Sequence, residues 1–230
     1  MDKMKIIGKK LLLSVLAGVA ISLGGLLFLV LKEYTNEVLA SYSFSIGLLI
    51  ILCYKYLLFT GKIGYIFDKK YSFVDYLVMF IGNLIGAVIM GYIFRLIGFG
   101  GVKETNEAIS LNKLQNFNVW KLLLSGVFCG MFVYMAVDLF QIKRIHLGIR
   151  ILLVILLIGT FVILKLNHCI ANMFYFSFGN MWSGKTILFI LINTLGNSVG
   201  AIILNFLKKL ILKFMKKDNN QTKTQNNSCN

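Results

Sequence analysis

Seven stretches of this chain carry no charged residue: 11–31, 38–54, 76–94, 122–137, 151–164, 166–184 and 186–207. Crossing the hydrocarbon of a bilayer takes about 17–25 mainly apolar residues in a helix. Backbone in lipid must satisfy its own hydrogen bonds, and helices do so within one segment. A soluble reading fails on supply as well. Only 14% of residues are charged and mean hydropathy is +0.80, whereas about a quarter of a soluble domain is charged. The fold class is all-α, a polytopic membrane protein with essentially no extramembrane domain. Lys3, Lys5, Lys9 and Lys10 before the run 11–31 imitate a signal peptide. That run exceeds the usual apolar core of about 7–15 residues, so it reads as a retained helix.

Runs 151–164 and 166–184 are separated by Lys165 alone, which leaves no room for a turn. They read as one element broken near Asn167, giving six transmembrane helices in a channel domain over 1–217. The polar stretch 218–230 reads as a disordered cytoplasmic tail. With the N-terminus inside, Lys and Arg collect on the inner side: Lys3 to Lys10, Lys62, Lys69, Lys70, Lys143, Arg144, Arg150, and Lys208 to Lys223. The outer set is Lys32, Arg95, Lys103, Lys113, Lys121 and Lys185. This asymmetry places both termini in the cytoplasm of a plasma-membrane protein. The net charge of +15 is thereby a topology determinant that meets lipid headgroups of the bilayer, and no nucleic-acid partner is expected. Cys53, Cys129, Cys169 and Cys229 lack CxxC spacing, so neither a metal cluster nor a disulfide framework is implied. No cofactor is expected.

"GNLIGA" (82–87) and "GNSVGA" (196–201) fall in the third and sixth spans. Three spans per half, about 1–115 and 116–217, make the second half enter the membrane from the opposite side, an inverted repeat. The glycines suit close helix packing. The asparagines need buried partners or a wet cavity. "NHCIANM" (167–173) places an imidazole and two amides inside the fifth span, where an ionisable group is costly and marks function. The matching place in span two is "LLFTGK" (57–62). Spans two and five broken at corresponding positions point to a shared site at which His168 and Asn172 face a conduction path.

These strings, with "AGVAIS" in span one, "CGMFVYMAV" in span four and "TLGNSVGA" in span six, resemble the formate/nitrite transporter family over about residues 10–212. The resemblance implies a homopentamer of aquaporin-like protomers, each with its own pore for a small monovalent anion of a weak acid (formate, nitrite or hydrosulfide type), with protons as a possible second passenger. Carried over by residue, it makes His168 the central pore histidine and Thr60 its hydroxyl partner. Asn172 and Asn197 fall beside the pore. Phe44, Leu48, Leu58, Phe59 and Phe161 fall at apolar constrictions. Leu57, Lys62 and Asn167 depart from the family pattern. Lys113 is the nearest candidate for the family's pore lysine. Lys165, three residues before His168, offers a second source of positive field if the two share a helix face. Lys55 and Asp138 are charges inside spans, expected to pair or to reach an interface.

Two other classes have a motif to offer. "GNMWSGKT" (179–186) fits the P-loop spacing, yet such a loop needs a preceding strand in an α/β domain. Ser183 with His168 sketches an intramembrane enzyme, but the Gly of a nucleophile elbow is replaced by Met181. A neutral-solute pore of the aquaporin type would need paired Asn-Pro-Ala half-helices, and the chain has no proline. The reading is a channel or transporter, not an enzyme.

Overall fold

The computed structural model describes residues 3–228 apart from Lys69, with side chains from Met4 to Met215. The whole polar stretch 218–230 and the inner-side Lys69 therefore fall outside the described side chains, and Cys229 lies outside the described residues. Among the described residues the secondary structure is all helical. The order is α1 (Lys3–Tyr34), α2 (Glu37–Ser43), α3 (Ser45–Tyr54), α4 (Phe59–Lys62), a 3-10 segment (Ile63–Asp68), α5 (Phe73–Ile97), α6 (Val102–Gln115), α7 (Val119–Phe140), α8 (Leu147–Ile163), α9 (Cys169–Phe178) and α10 (Gly184–Ser228). Among the described residues five stretches are long and apolar enough to cross a membrane: Met4–Tyr34, Glu37–Tyr54, Phe73–Ile97, Val119–Phe140 and Gly184–Met215. α8 and α9 are apolar but shorter, and they divide the stretch 151–184 between them.

One construction occurs twice. α3 ends at Lys55 and α8 ends just before Lys165, and both lysines are left-handed, with φ of 58° and 55°. Each terminus closes with a long-reach bond, Tyr56 N to Ile51 O and Leu166 N to Phe161 O, both 3.0 Å. A left-handed residue ends a helix by satisfying its last carbonyls in this way, and glycine is the usual choice because a Cβ is strained there. Three residues outside any helix follow, the last of them extended (Leu58, His168), and then a buried helix, α4 or α9. The breaks thus begin slightly before the strings that announced them. Thr60 and Gly61 belong to α4, and Asn172 belongs to α9.

α5 packs along α1 and α10 along α7, and the repeated glycines are the reason. A Cβ at Gly86 would lie 2.1 Å from Val15 O, and one at Gly200 would lie 1.9 Å from Val127 O. Small residues four apart let the backbones touch, which is how helices associate without a hydrophobic driving force. α9 is buried along its whole length, as a helix apolar on every side must be. Large apolar side chains such as Leu96, Trp120, Leu152, Leu191 and Phe206 point outward and form the surface offered to lipid.

α5 begins with a capping box: Asp75 N donates to Ser72 Oγ at 3.2 Å and Ser72 N donates to Asp75 Oδ2 at 2.9 Å. Asp75 also holds Lys10 of α1 at 2.5 Å, so one carboxylate joins the starts of the two packed helices. Loss of an N-cap costs about 1 kcal/mol. Ser72→Ala should therefore lower the melting temperature of detergent-solubilised protein by about 2–4 °C, and an unchanged melt would show that the Lys10 contact alone fixes this helix start.

Candidate functional site

Two cavities approach the twin breaks from opposite faces. The first, about 580 Å³, opens on the face away from the termini and is lined by α1, α2, α6, α7, α8 and α9. The second, about 500 Å³, opens on the face that carries the termini. Matching residues of the two breaks line them: Lys165 to His168, Ala171 and Asn172 line the first, and Lys55 to Leu58, Gly61 and Lys62 line the second.

His168 and Thr60 meet between the cavities. Thr60 Oγ1 lies 2.9 Å from His168 Nε2, and both residues are buried. His168 is the N-cap of α9: its Nδ1 accepts from Ala171 N at 3.2 Å. The first amides of a helix lack intrahelical partners, and a side-chain acceptor supplies one. Acceptance at Nδ1 puts the neutral ring's proton on Nε2, where it points at Thr60 Oγ1. The Thr60 hydroxyl then has its own proton to offer, since no acceptor for it is present among the described residues. Adding a second proton at Nδ1 would break the cap and place a cation at the positive end of α9. The ring is built to stay neutral and to donate from one nitrogen.

An amide cluster surrounds the break above His168. Asn172 Nδ2 donates to Asn193 Oδ1 at 2.8 Å, and Asn193 Nδ2 donates to Asn167 O at 2.6 Å. Ser125 Oγ accepts from Asn167 N and from Asn167 Nδ2, both at 3.0 Å. Lys113 enters this cluster from α6: its Nζ donates to Asn172 Oδ1 at 2.6 Å and to Asn167 Oδ1 at 3.2 Å, and it sits 5.6 Å from the centre of the Tyr175 ring. All of these partners are neutral, so the ammonium's field is left to act on the cavity. α6 is no membrane span, and burial pushes Lys113 down to about 8, because an ammonium removed from water loses hydration.

The two repeat asparagines do a different job. Asn197 Oδ1 accepts from Cys169 N at 2.9 Å, and its Nδ2 donates to Gly126 O at 2.8 Å and Asn167 O at 2.9 Å. Asn83 repeats the pattern on α4: Oδ1 accepts from Phe59 N at 2.8 Å, and Nδ2 donates to Ser14 O at 2.7 Å and Leu57 O at 2.9 Å. Each amide clips a broken span to a neighbouring helix and satisfies backbone that lost its partners at the break. Asn197 lines neither cavity. It stands one layer behind the residues that line the first cavity, bonded to Cys169 N and Asn167 O.

The other expected residues sort as follows. Phe44 and Phe161 stand edge to face at 5.9 Å and line the first cavity, with Phe161 6.2 Å from the His168 ring. Leu58 lines the second cavity. Leu48 is buried in the main core and Phe59 in a smaller cluster against Phe80, and neither lines a cavity. Lys165 shares no helix with His168: it is the left-handed residue between α8 and α9, three-quarters exposed, 3.5 Å from Glu37. Asp138 takes Lys208 at 2.6 Å and the Tyr65 hydroxyl at 2.9 Å rather than Lys55. Gly179 to Thr186 is the turn into α10, where Ser183 Oγ accepts from Thr186 N at 3.2 Å. That serine caps a helix and is not hydrogen-bonded to His168, and no strand precedes the turn. Asn193, Ser125 and the helix α6 were not singled out from the sequence; only the inward spacing of Asn106, Ser110 and Lys113 hinted at the last.

Comparison with known proteins agrees with this architecture. A formate-nitrite transporter of Entamoeba histolytica is 29% identical over 219 residues, covering 83% of this chain and 59% of that protein; the chain thus spans somewhat over half the length of that relative. A solved structure described as a pentameric formate channel with formate bound superposes with a TM-score of 0.80 at 22% identity, covering 93% of this chain and 100% of that one. A second, described as an FNT family ion channel, gives 0.71 at 19% identity, with 86% and 88% covered. At these identities the two structures speak for the fold. The Formate/nitrite transporter family itself matches residues 3–210, nearly the whole chain, and the chain belongs to that family.

Proposed function

We propose that the protein is a plasma-membrane pore for small monovalent anions of weak acids, formate, nitrite or hydrosulfide among them, carried in company with a proton. Both termini face the cytoplasm, and the first cavity is the outer vestibule. The working unit is a homopentamer in which each protomer has its own path, built from two inverted halves over 1–115 and 116–217. The observation that carries the reading is the buried His168–Thr60 pair between two cavities, with the Lys113 ammonium among neutral partners at the first.

The sequence of events follows from electrostatics. Lys113 raises the local concentration of anions in the vestibule. Past it, the Phe44 and Phe161 rings strip water, and stripping water from a carboxylate costs far more than stripping it from the neutral acid. Desolvation also raises the substrate's own pKa, so it takes a proton from vestibule water before reaching the ring. His168 Nε2–H and the Thr60 hydroxyl then offer hydrogen bonds to a neutral acid or to its incipient anion. The imidazole is no proton shuttle in this scheme, because its second nitrogen is committed to the α9 cap.

The test is formate flux into proteoliposomes under imposed pH gradients. Wild-type protein should carry formate faster as the outside is acidified. His168→Asn keeps a capping oxygen and an N–H donor, so it should retain the pH dependence with a modest loss of rate. His168→Phe loses cap and donor together and should lose about tenfold or more. A His168→Asn protein whose flux no longer responds to pH would show that the imidazole itself moves the proton.

A further inference from the structure

The second cavity holds more positive charge than the pore reading needs. Among the described residues its walls include Lys55, Lys62, Lys143 and Arg150, with Tyr56, Tyr71 and Gln141, and no carboxylate. The described carboxylates at this face are engaged elsewhere: Asp75 by Lys10, Asp138 by Lys208, and Asp68 by Lys209. The outer cavity differs, because there Glu37 answers Lys32 at 3.1 Å and Lys165 at 3.5 Å. Among the described residues, Lys55, Lys62 and Lys143 have no hydrogen-bond or ion-pair partner. Arg150 is held in place by its neighbours: Nη1 donates to Phe140 O at 2.7 Å, its guanidinium carbon lies 5.4 Å from the centre of the Phe140 ring, and its buried Nε has no acceptor.

We propose that this cavity is a binding site for a multiply charged oxyanion of the phosphate class. Attraction to four cations on the walls of one cavity grows with the charge of the guest, and a planar guanidinium with an unfilled Nε donor suits a tetrahedral oxyanion. Lys62 occupies the position in α4 that Asn172 occupies in α9, so the two halves present a cation to one vestibule and a neutral amide to the other. A phosphate dianion needs two protons to become neutral. If the pore passes neutral acids, the guest seats at the inner mouth without crossing and holds back flux from that side. The effect on flux rests on the pore reading above; the binding does not. The phosphate group has two sources, the free ion or an anionic lipid headgroup.

The test begins with binding of radiolabelled inorganic phosphate to the purified full chain at constant ionic strength, with chloride as the balancing ion. Saturable binding is expected, weakened about tenfold by Lys62→Gln or Arg150→Gln and unchanged by Lys5→Gln on exposed α1. Lys62→Arg, which keeps the charge, should retain binding, separating loss of charge from loss of fold. Nanodiscs of phosphatidylcholine with and without phosphatidylglycerol distinguish the sources: competition by the anionic lipid assigns the site to headgroups in the membrane, and its absence assigns it to the free ion. Either result supports the phosphate chemistry. Absence of saturable binding, or binding indifferent to both charge removals, overturns the proposal. In oriented vesicles, inner-face phosphate should lower formate flux several-fold more than outer-face phosphate. Each variant is normalised to its own phosphate-free flux. Absence of any formate flux would overturn the pore reading and leave the binding result to stand by itself.

Discussion

Asn197→Leu should yield a protein that fails to accumulate in a folded form, although it removes no group from either cavity wall. The leucine is nearly isosteric and suits a lipid environment better than an amide, so hydropathy alone predicts a gain. The hydrogen bonds predict the reverse. Cys169 N, Gly126 O and Asn167 O each lose a buried partner, and an unsatisfied buried polar group costs about 1–3 kcal/mol. The sum, roughly 5 kcal/mol, is of the order of a whole protein's stability. Asn83→Leu should do the same through Phe59 N, Ser14 O and Leu57 O. Ser198→Ala is the control, because its hydroxyl returns to the Thr194 carbonyl of its own helix and that loss is small. Yield of monodisperse protein and its melting temperature read the result. A wild-type melt for Asn197→Leu would mean that water or a backbone shift replaces all three bonds, and the amide clip would then have no energetic standing.

The same residues explain what could be read in advance. Charge-free runs and paired small residues are strong signals because lipid admits few alternatives: an apolar run must be helical, and glycines four apart must face something close. Hence the helices, the glycine seams and the two interruptions were legible. The strings that mark the interruptions begin inside the breaks and run on into α4 and α9, because the polar residues around a break are conspicuous, whereas the residue that ends the helix is not. Lys55 and Lys165 are left-handed without being glycine, and nothing in their identity announces it. Lys165 is itself the left-handed residue, which removes the shared helix face with His168 that a three-residue spacing would offer. The repeat asparagines were correctly seen to need partners, but an amide lining a pore and an amide clipping a backbone look the same in one dimension. Phe59 and Leu48 could not be told from wall residues for a similar reason: in a membrane protein both core and pore are apolar.

α6 was the larger omission. Its polar positions Asn106 and Ser110 are buried and its apolar Leu111 is exposed, the reverse of a soluble surface helix. A polar stripe that faces inward reads as a hydrophilic loop when only average hydropathy is considered. The helix is fastened by Asn106 Nδ2 to Tyr175 O at 3.0 Å, Arg95 to Glu107 at 3.3 Å, and the Thr105 hydroxyl to Glu33. Those ties deliver Lys113, from a segment outside the spans, to the amides of α9.

Replacing that lysine should produce the largest loss of flux with the fold intact. At about 6 Å and an effective dielectric near 20, one unit charge is worth about 2.8 kcal/mol to a passing anion, which corresponds to about a hundredfold in its local concentration. Lys113→Met should therefore lower formate flux about a hundredfold at neutral pH while leaving the melt near wild type, since Asn172 and Asn167, which lose a donor, line an open cavity where water can replace it. The pH response supplies the sharper reading. With the ammonium pushed down to about 8 by burial, the charge is present below that value and fades as the outer pH rises through it. Wild-type flux should show an added fall there, beyond the smooth decline that comes from fewer protonated substrate molecules. Lys113→Arg keeps its charge across the range and should show only the smooth decline. Identical pH profiles for the lysine and arginine proteins, or a methionine variant that conducts as well as wild type, would remove Lys113 as the source of the vestibule's attraction and turn attention to Lys121 and Lys32 on the same wall.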